Sequence, residues 1–113
     1  MNSDLKNSIA IGSVGLSYSL LALPLIMQKV KPNRWYGFRV KKTLSDPEIW
    51  YKANQIAGKN MLLAGLTILA ATISTYFIRL NSASFPSEVI NIVVFISAAL
   101  ASTVSSFRAL KKL

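Results

Sequence analysis

The run IAIGSVGLSYSLLALPLIM, Ile9 to Met27, holds nineteen residues and no charged side chain. As a helix rising about 1.5 Å per residue it is roughly 28 Å long, close to the hydrocarbon thickness of a bilayer. Its one helix breaker, Pro24, lies near the end, where neighbouring helices can satisfy the carbonyl it frees. Two further charge-free runs of matching length follow, Met61 to Ile78 and Val89 to Phe107. Three such runs in 113 residues leave too little polar chain to cover them, which argues against a soluble protein with buried helices. The expected fold is an all-α membrane protein, a single module over residues 1–113. Its three transmembrane helices cover about 9–27, 61–78 and 89–107, with a connection over 28–60.

A cleavable signal peptide is the competing reading of the first run. The segment after it, Gln28-Lys29-Val30-Lys31-Pro32, lacks a small-residue cleavage site and carries positive charge on the wrong side. The run is therefore expected to stay as a span.

Charge agrees with the membrane. Only 15% of residues are charged, against roughly a quarter in soluble domains. A net charge of +9 by itself fits nucleic acid or an anionic membrane surface, but the basic residues cluster beside the apolar runs. The membrane is favoured and no direct nucleic-acid partner is expected. Cysteine and histidine are absent, which removes disulfides, thiolate nucleophiles, Cys or His metal sites and imidazole bases. The four acids, Asp4, Asp46, Glu48 and Glu88, all lie outside the apolar runs. No catalytic residue, cofactor or metal is assigned, and the protein is expected not to be an enzyme.

Orientation follows from the basic residues near the span ends. The first connection holds Lys29, Lys31, Arg34, Arg39, Lys41, Lys42, Lys52 and Lys59, and the tail adds Arg108, Lys111 and Lys112. Three crossings put these eleven on one face and leave two, Lys6 and Arg79, on the other. The expectation is a multi-pass protein of the cell membrane, N-terminus outside and C-terminus cytoplasmic. Trp35, Tyr36, Trp50 and Tyr51 would mark one interface, and Tyr76, Phe77 and Phe85 the other.

Small residues should drive helix contact, because lipid tails are as apolar as leucine. The third span has the ladders Ser97-Ala101-Ser105 and Ala98-Ser102-Ser106, the first has Ser8, Gly12 and Gly15, and the second has Gly65. The serine face reads as packing with hydroxyls bonded one turn back, in preference to a polar path. These ladders also permit a homo-oligomer. Ser84 is the expected cap of the last helix and Pro86 suits its first turn, making spans two and three a tight hairpin.

The first connection carries the chemistry. Lys31-Pro32-Asn33 is a turn signal, followed by Arg34-Trp35-Tyr36-Gly37-Phe38-Arg39, basic and aromatic groups around one glycine. Ser45 and Glu48 have capping-box spacing, with Asp46 and Pro47 in the first turn. Ile49, Trp50, Ala53, Ile56 and Ala57 then share a helical face, with Lys52, Asn54, Gln55 and Lys59 largely off it. The expectation is a cytoplasmic interfacial amphipathic helix, with continuation into span two left open. Arginines flanked by aromatics suit phosphate head groups, carboxylates or a partner protein. For the lysines, topology and lipid anchoring suffice. For Arg34 and Arg39, binding and anchoring stand level.

Asn33, Tyr36-Gly37-Phe38-Arg39, Thr43, Trp50, Asn54, Gly58 and Lys59 together resemble the signature of the SdpI family of bacterial membrane proteins. That pattern is roughly Pro-x-Asn, a Tyr-Gly-aromatic-Arg turn, a Trp, and an Asn before the second span. The likeness covers about Lys31 to Lys59 and the flanking hydropathy. It implies immunity against a secreted, membrane-active toxin peptide. As in the founding type, it also implies signalling through a cytoplasmic regulator held at the membrane. Longer relatives carry an additional N-terminal membrane portion that these residues do not include, a second candidate seat for both roles. Candidate partner- or anion-binding residues are Asn33, Arg34, Tyr36, Gly37, Arg39, Trp50, Asn54 and Lys59, with the anionic bilayer, a toxin peptide or a regulator as partners. A small transporter or channel subunit is the alternative, though its spans lack the acids or histidines of ion relays. A membrane enzyme on lipid-linked substrates is the weaker one, since capping explains Asp46 and Glu48.

Overall fold

A hydrocarbon solvent offers the backbone no hydrogen bonds, so apolar runs of this length must close their bonds internally as helices. The computed structural model describes residues 3–113 and shows four helices: α1 (Ser3–Ile26), α2 (Lys41–Ser45), α3 (Pro47–Asn81) and α4 (Ser87–Lys111). Helices α1, α3 and α4 are each long and apolar enough to cross a membrane. The all-α, three-span expectation holds.

The helix expected in the first connection is the opening part of α3. It runs through Gly58 into span two without a break, giving one helix of 35 residues. At 1.5 Å per residue that is about 52 Å, and the molecule measures 52 × 23 × 18 Å. Asn54, expected off the apolar face, is buried on the same side as Trp50, Ala53 and Ala57, because that side packs against protein. The cap also differs. Asp46 accepts from the Glu48 N–H at 2.8 Å, while Ser45 ends α2 and donates to the Lys42 carbonyl at 2.6 Å.

Helices α1 and α3 pair antiparallel over the length of α1, from Asp4 beside Arg79 to Ile26 beside Gln55, and glycine sets how close they come. A Cβ on Gly15 would lie 2.9 Å from the Gly65 carbonyl oxygen, and one on Gly65 would lie 2.7 Å from that of Gly15. A turn or two nearer the first connection, a Cβ on Gly58 would lie 3.0 Å from the Ala22 oxygen. Ser19 folds its hydroxyl back onto the Gly15 carbonyl at 2.9 Å, which keeps that seam narrow. Ala22, Leu25, Ala57, Ala64 and Ile68 fill the seam, while Leu16, Leu20, Leu63 and Leu66 point outward, as expected where lipid is the solvent.

α4 has no glycine and is held to α3 by polar pairs. Thr75 donates to Asn91 Oδ1 at 3.0 Å, and Asn60 donates to Ser106 Oγ at 3.0 Å. Ser106 also bonds the Ser102 carbonyl one turn back, as expected. The Ser97-Ala101-Ser105 ladder does not pack inside the bundle. Its members are exposed and line an open groove between α3 and α4, because without glycine the α4 backbone stands further off. At the start of α4 the chain turns at Ser82–Phe85, and the Phe85 N–H donates to the Ser82 carbonyl at 3.0 Å. Ser84 lies in that turn, and Pro86 precedes the helix without a side-chain cap.

The two ends of the bundle differ. At one, Arg79 pairs with Asp4 at 3.0 Å and donates to the Phe85 carbonyl at 3.1 Å, and Asn7 donates to Glu88 at 2.5 Å. At the other, Lys42 Nζ reaches the Leu110 carbonyl near the end of α4 at 2.8 Å, a cation at a helix C-terminus. The first connection and the tail therefore share an end.

Candidate functional site

The first connection begins where α1 closes in a Schellman turn. The Lys29 N–H returns to the Pro24 carbonyl at 3.0 Å and that of Gln28 to Leu25 at 3.2 Å, with Gln28 left-handed at φ 57°. Asn33 then organises the next turn with its whole side chain. Its Oδ1 accepts from the Trp35 and Tyr36 N–H groups at 2.8 and 2.7 Å, and its Nδ2 donates to the Lys31 and Tyr36 carbonyls at 2.7 and 3.0 Å. No hydrogen-bonding capacity of the amide remains for a ligand.

Gly37 follows with φ 115°, a conformation L side chains rarely adopt. A Cβ there would meet Asn54 Oδ1 at 2.8 Å and the Trp50 ring at 3.1 Å. This close approach lets Asn54, buried in α3, clasp the loop. Its Oδ1 accepts from the Phe38 N–H at 2.5 Å, and its Nδ2 donates to the Phe38 carbonyl at 3.3 Å and to the Trp50 carbonyl at 2.9 Å. Trp50, fully buried, donates its indole N–H to the Val30 carbonyl at 2.8 Å. Thr43, also fully buried, accepts from the Val40 N–H at 2.9 Å and donates to the Phe38 carbonyl at 2.8 Å. Gln55 adds a bond to the Ile26 carbonyl at 2.9 Å. Loop backbone polar groups thus find partners on α3, as burial requires.

The loop is also set down beside the spans. The Tyr36 hydroxyl donates to the Leu21 carbonyl, five residues inside the end of α1, or roughly 7 Å along its axis. Burial raises the Tyr36 phenol pKa above its ordinary value of 10.0. The Phe38 ring meets Phe107 of α4 edge-on, centroids 5.0 Å apart, and lines a cleft with Tyr18, Ala57, Met61 and Ser102. Phe38 is a wedge between the ends of α1, α3 and α4.

The eight candidate residues therefore fall into two groups. Asn33, Tyr36, Gly37, Trp50 and Asn54 are engaged in holding the loop to α3 and α1. Arg34 and Arg39 are exposed and line an open groove with Pro32, Asn33, Trp35 and Leu44. Lys59 is exposed on α3. Trp35, which belongs with Arg34 and Arg39 to the basic-aromatic run read as a binding surface, is 86% exposed and is the most open large apolar side chain among the described residues. Thr43 stands in the family-like pattern though not among the candidates, and the structure makes it a clasp; Gln55 is a further clasp that nothing local distinguishes from a surface polar residue.

The profile of the SdpI/YfhL protein family matches residues 29–107, more than two thirds of the chain. The chain belongs to that family. The matched segment begins at the connection and runs through α4, so the SdpI/YfhL region comprises the loop, α3 and most of α4, with α1 packed against it from outside the match. No curated protein and no solved structure matches the chain significantly.

Proposed function

We propose that this SdpI/YfhL protein is a non-enzymatic multi-pass protein of the bacterial cell membrane. It acts in immunity to a membrane-active toxin peptide, in membrane-linked signalling through a cytoplasmic regulator, or in both. The N-terminus lies outside, and the connection and C-terminus lie in the cytoplasm. That orientation follows the basic residues, since the end carrying the connection and tail holds eleven of the thirteen.

One observation carries the reading. The buried Asn54, Trp50 and Thr43 fix a loop whose outward side chains, Arg34, Trp35 and Arg39, have no acid to pair with. The ion pairs among the described residues are Lys52–Glu48 and Arg79–Asp4, and Asp46 is occupied as a helix cap. A fixed frame presenting unneutralised cations and an indole supports a surface for an anionic partner.

The test is survival of a toxin-sensitive strain expressing the chain, challenged with a panel of membrane-active peptides. Protection by the wild type, lost in Arg34→Ala/Arg39→Ala at equal membrane level, is expected. No protection against any peptide overturns the immunity role, and protection equal in the variant removes the arginines from it.

A further inference from the structure

The geometry points to a phosphate-binding site for an acidic phospholipid head group, formed by Arg34 and Arg39 with Trp35 as its interfacial anchor. It deepens the reading of this loop as a surface for an anionic partner, and rests on that reading in naming the partner as lipid.

Depth is the first argument. Tyr36 is tied to the Leu21 carbonyl inside α1, and Phe38 is wedged against Phe107 of α4. These two residues bracket Gly37, so the turn cannot stand clear of the bundle. Arg34 and Trp35 precede that bracket directly and Arg39 follows it directly. The groove is thus held beside the last turns of the spans, where the head groups lie.

Side-chain chemistry is the second. An indole 86% exposed is costly in water, yet it suits the head-group layer, which accepts both its apolar ring and its N–H. Leu44, 51% exposed, adds apolar surface to the same groove. A soluble anion would use the arginines but has no use for these two side chains; a phospholipid uses all of them. Planar guanidinium groups match phosphate oxygens better than ammonium groups do, and here two of them flank a groove free of carboxylates.

Charge availability is the third. Asn33 spends its amide on the turn, and neither arginine has a hydrogen bond or ion pair to protein among the described residues. The frame places both cations and leaves them unsatisfied, as a ligand site requires.

The full chain is reconstituted in vesicles of phosphatidylcholine, and tryptophan emission is quenched by brominated phosphatidylglycerol or, separately, brominated phosphatidylcholine. Trp50 is buried in protein, so the signal lost on Trp35→Phe reports the site. The expected result is a preference of the Trp35 signal for phosphatidylglycerol, falling about fivefold for each arginine removed in Arg34→Ala and Arg39→Ala. Lys41→Ala/Lys111→Ala, an equal loss of exposed charge at the same end, should keep the preference. Equal quenching by both lipids overturns the site, and so does a preference that survives in Arg34→Ala/Arg39→Ala. Inorganic phosphate is added as a competitor. Abolition of the preference at concentrations too low to screen charge assigns the groove to soluble phosphate and overturns the lipid. The survival assay separates the two readings. Lipid preference without protection leaves the head-group site standing and the immunity role fallen. Arginine-dependent protection without lipid preference does the reverse.

Discussion

Gly37 shows how a single backbone dihedral holds the connection. Its φ of 115° and the 2.8 Å approach of Asn54 Oδ1 to the position of a Cβ act together. Gly37→Ala should therefore lower stability by about 2 kcal/mol or more, from the left-handed conformation plus the clash. Asn54→Ala leaves the Phe38 N–H without its partner, while the Phe38 carbonyl keeps its bond from Thr43, and should cost about 1–3 kcal/mol. Unfolding in mild detergent, followed by circular dichroism, measures both. Tyr36 adds a pH dependence. Its raised pKa means the folded state favours the neutral phenol. The stability it contributes is complete below 10.0, the unfolded value, and is lost as pH rises through the higher folded value. The melting temperature of the wild type should fall more steeply above that pH than that of Tyr36→Phe, which lacks the titrating group. Parallel curves would disprove the linkage.

Among the elements, the α1–α3 seam depends on Gly15, Gly58 and Gly65, where backbones approach within van der Waals limits. Gly65→Val must push Ser19 and the Gly15 carbonyl away. A loss of about 1–3 kcal/mol is expected, with the helices separating at lower denaturant. The same seam shows what a sequence reveals of such a fold. The spans were plain because lipid enforces a length and forbids charge, and Gly15 and Gly65 stood out as small residues in large company. The serine ladder of α4 was equally visible, yet small size permits contact without specifying a partner, and the close contacts went to the glycines. In the connection, helical periodicity placed Trp50, Ala53 and Ala57 correctly and put Asn54 outside. Polar residues are read as solvent-facing unless their partners are known, and the deciding partner, Phe38, meets Asn54 only through the loop's tertiary path. Asp46 outcompeted Ser45 as cap because Thr43 had already drawn Lys41–Ser45 into a helix of their own.

For the whole molecule, the contact between Lys42 and the Leu110 carbonyl places the connection and the tail at one end. The chain has no cysteine, so single substitutions report position without background. A membrane-impermeant thiol reagent on intact cells should label Ala83→Cys in the α3–α4 turn. Trp35→Cys and Leu113→Cys should react only after permeabilisation. Labelling of Trp35→Cys and Leu113→Cys from opposite sides would overturn the three-crossing topology, and labelling of both from outside would reverse the orientation. Helix α3 adds a mechanical relation between those compartments. Its 35 residues form an unbroken rod, and because Gln55 is level with Ile26 at the end of α1, the stretch from Pro47 to Gln55 extends roughly 12 Å past the apolar span. Bilayers of different thickness are met by tilt. For a stiff projection of that length, a tilt of about 10° sweeps the far tip through roughly 2 Å. The clasped loop must ride with it, and because Tyr36 and Phe38 tie that loop to α1 and α4 as well, any such tilt carries the three helix ends and the projection at Asn54 and Trp50 as one piece.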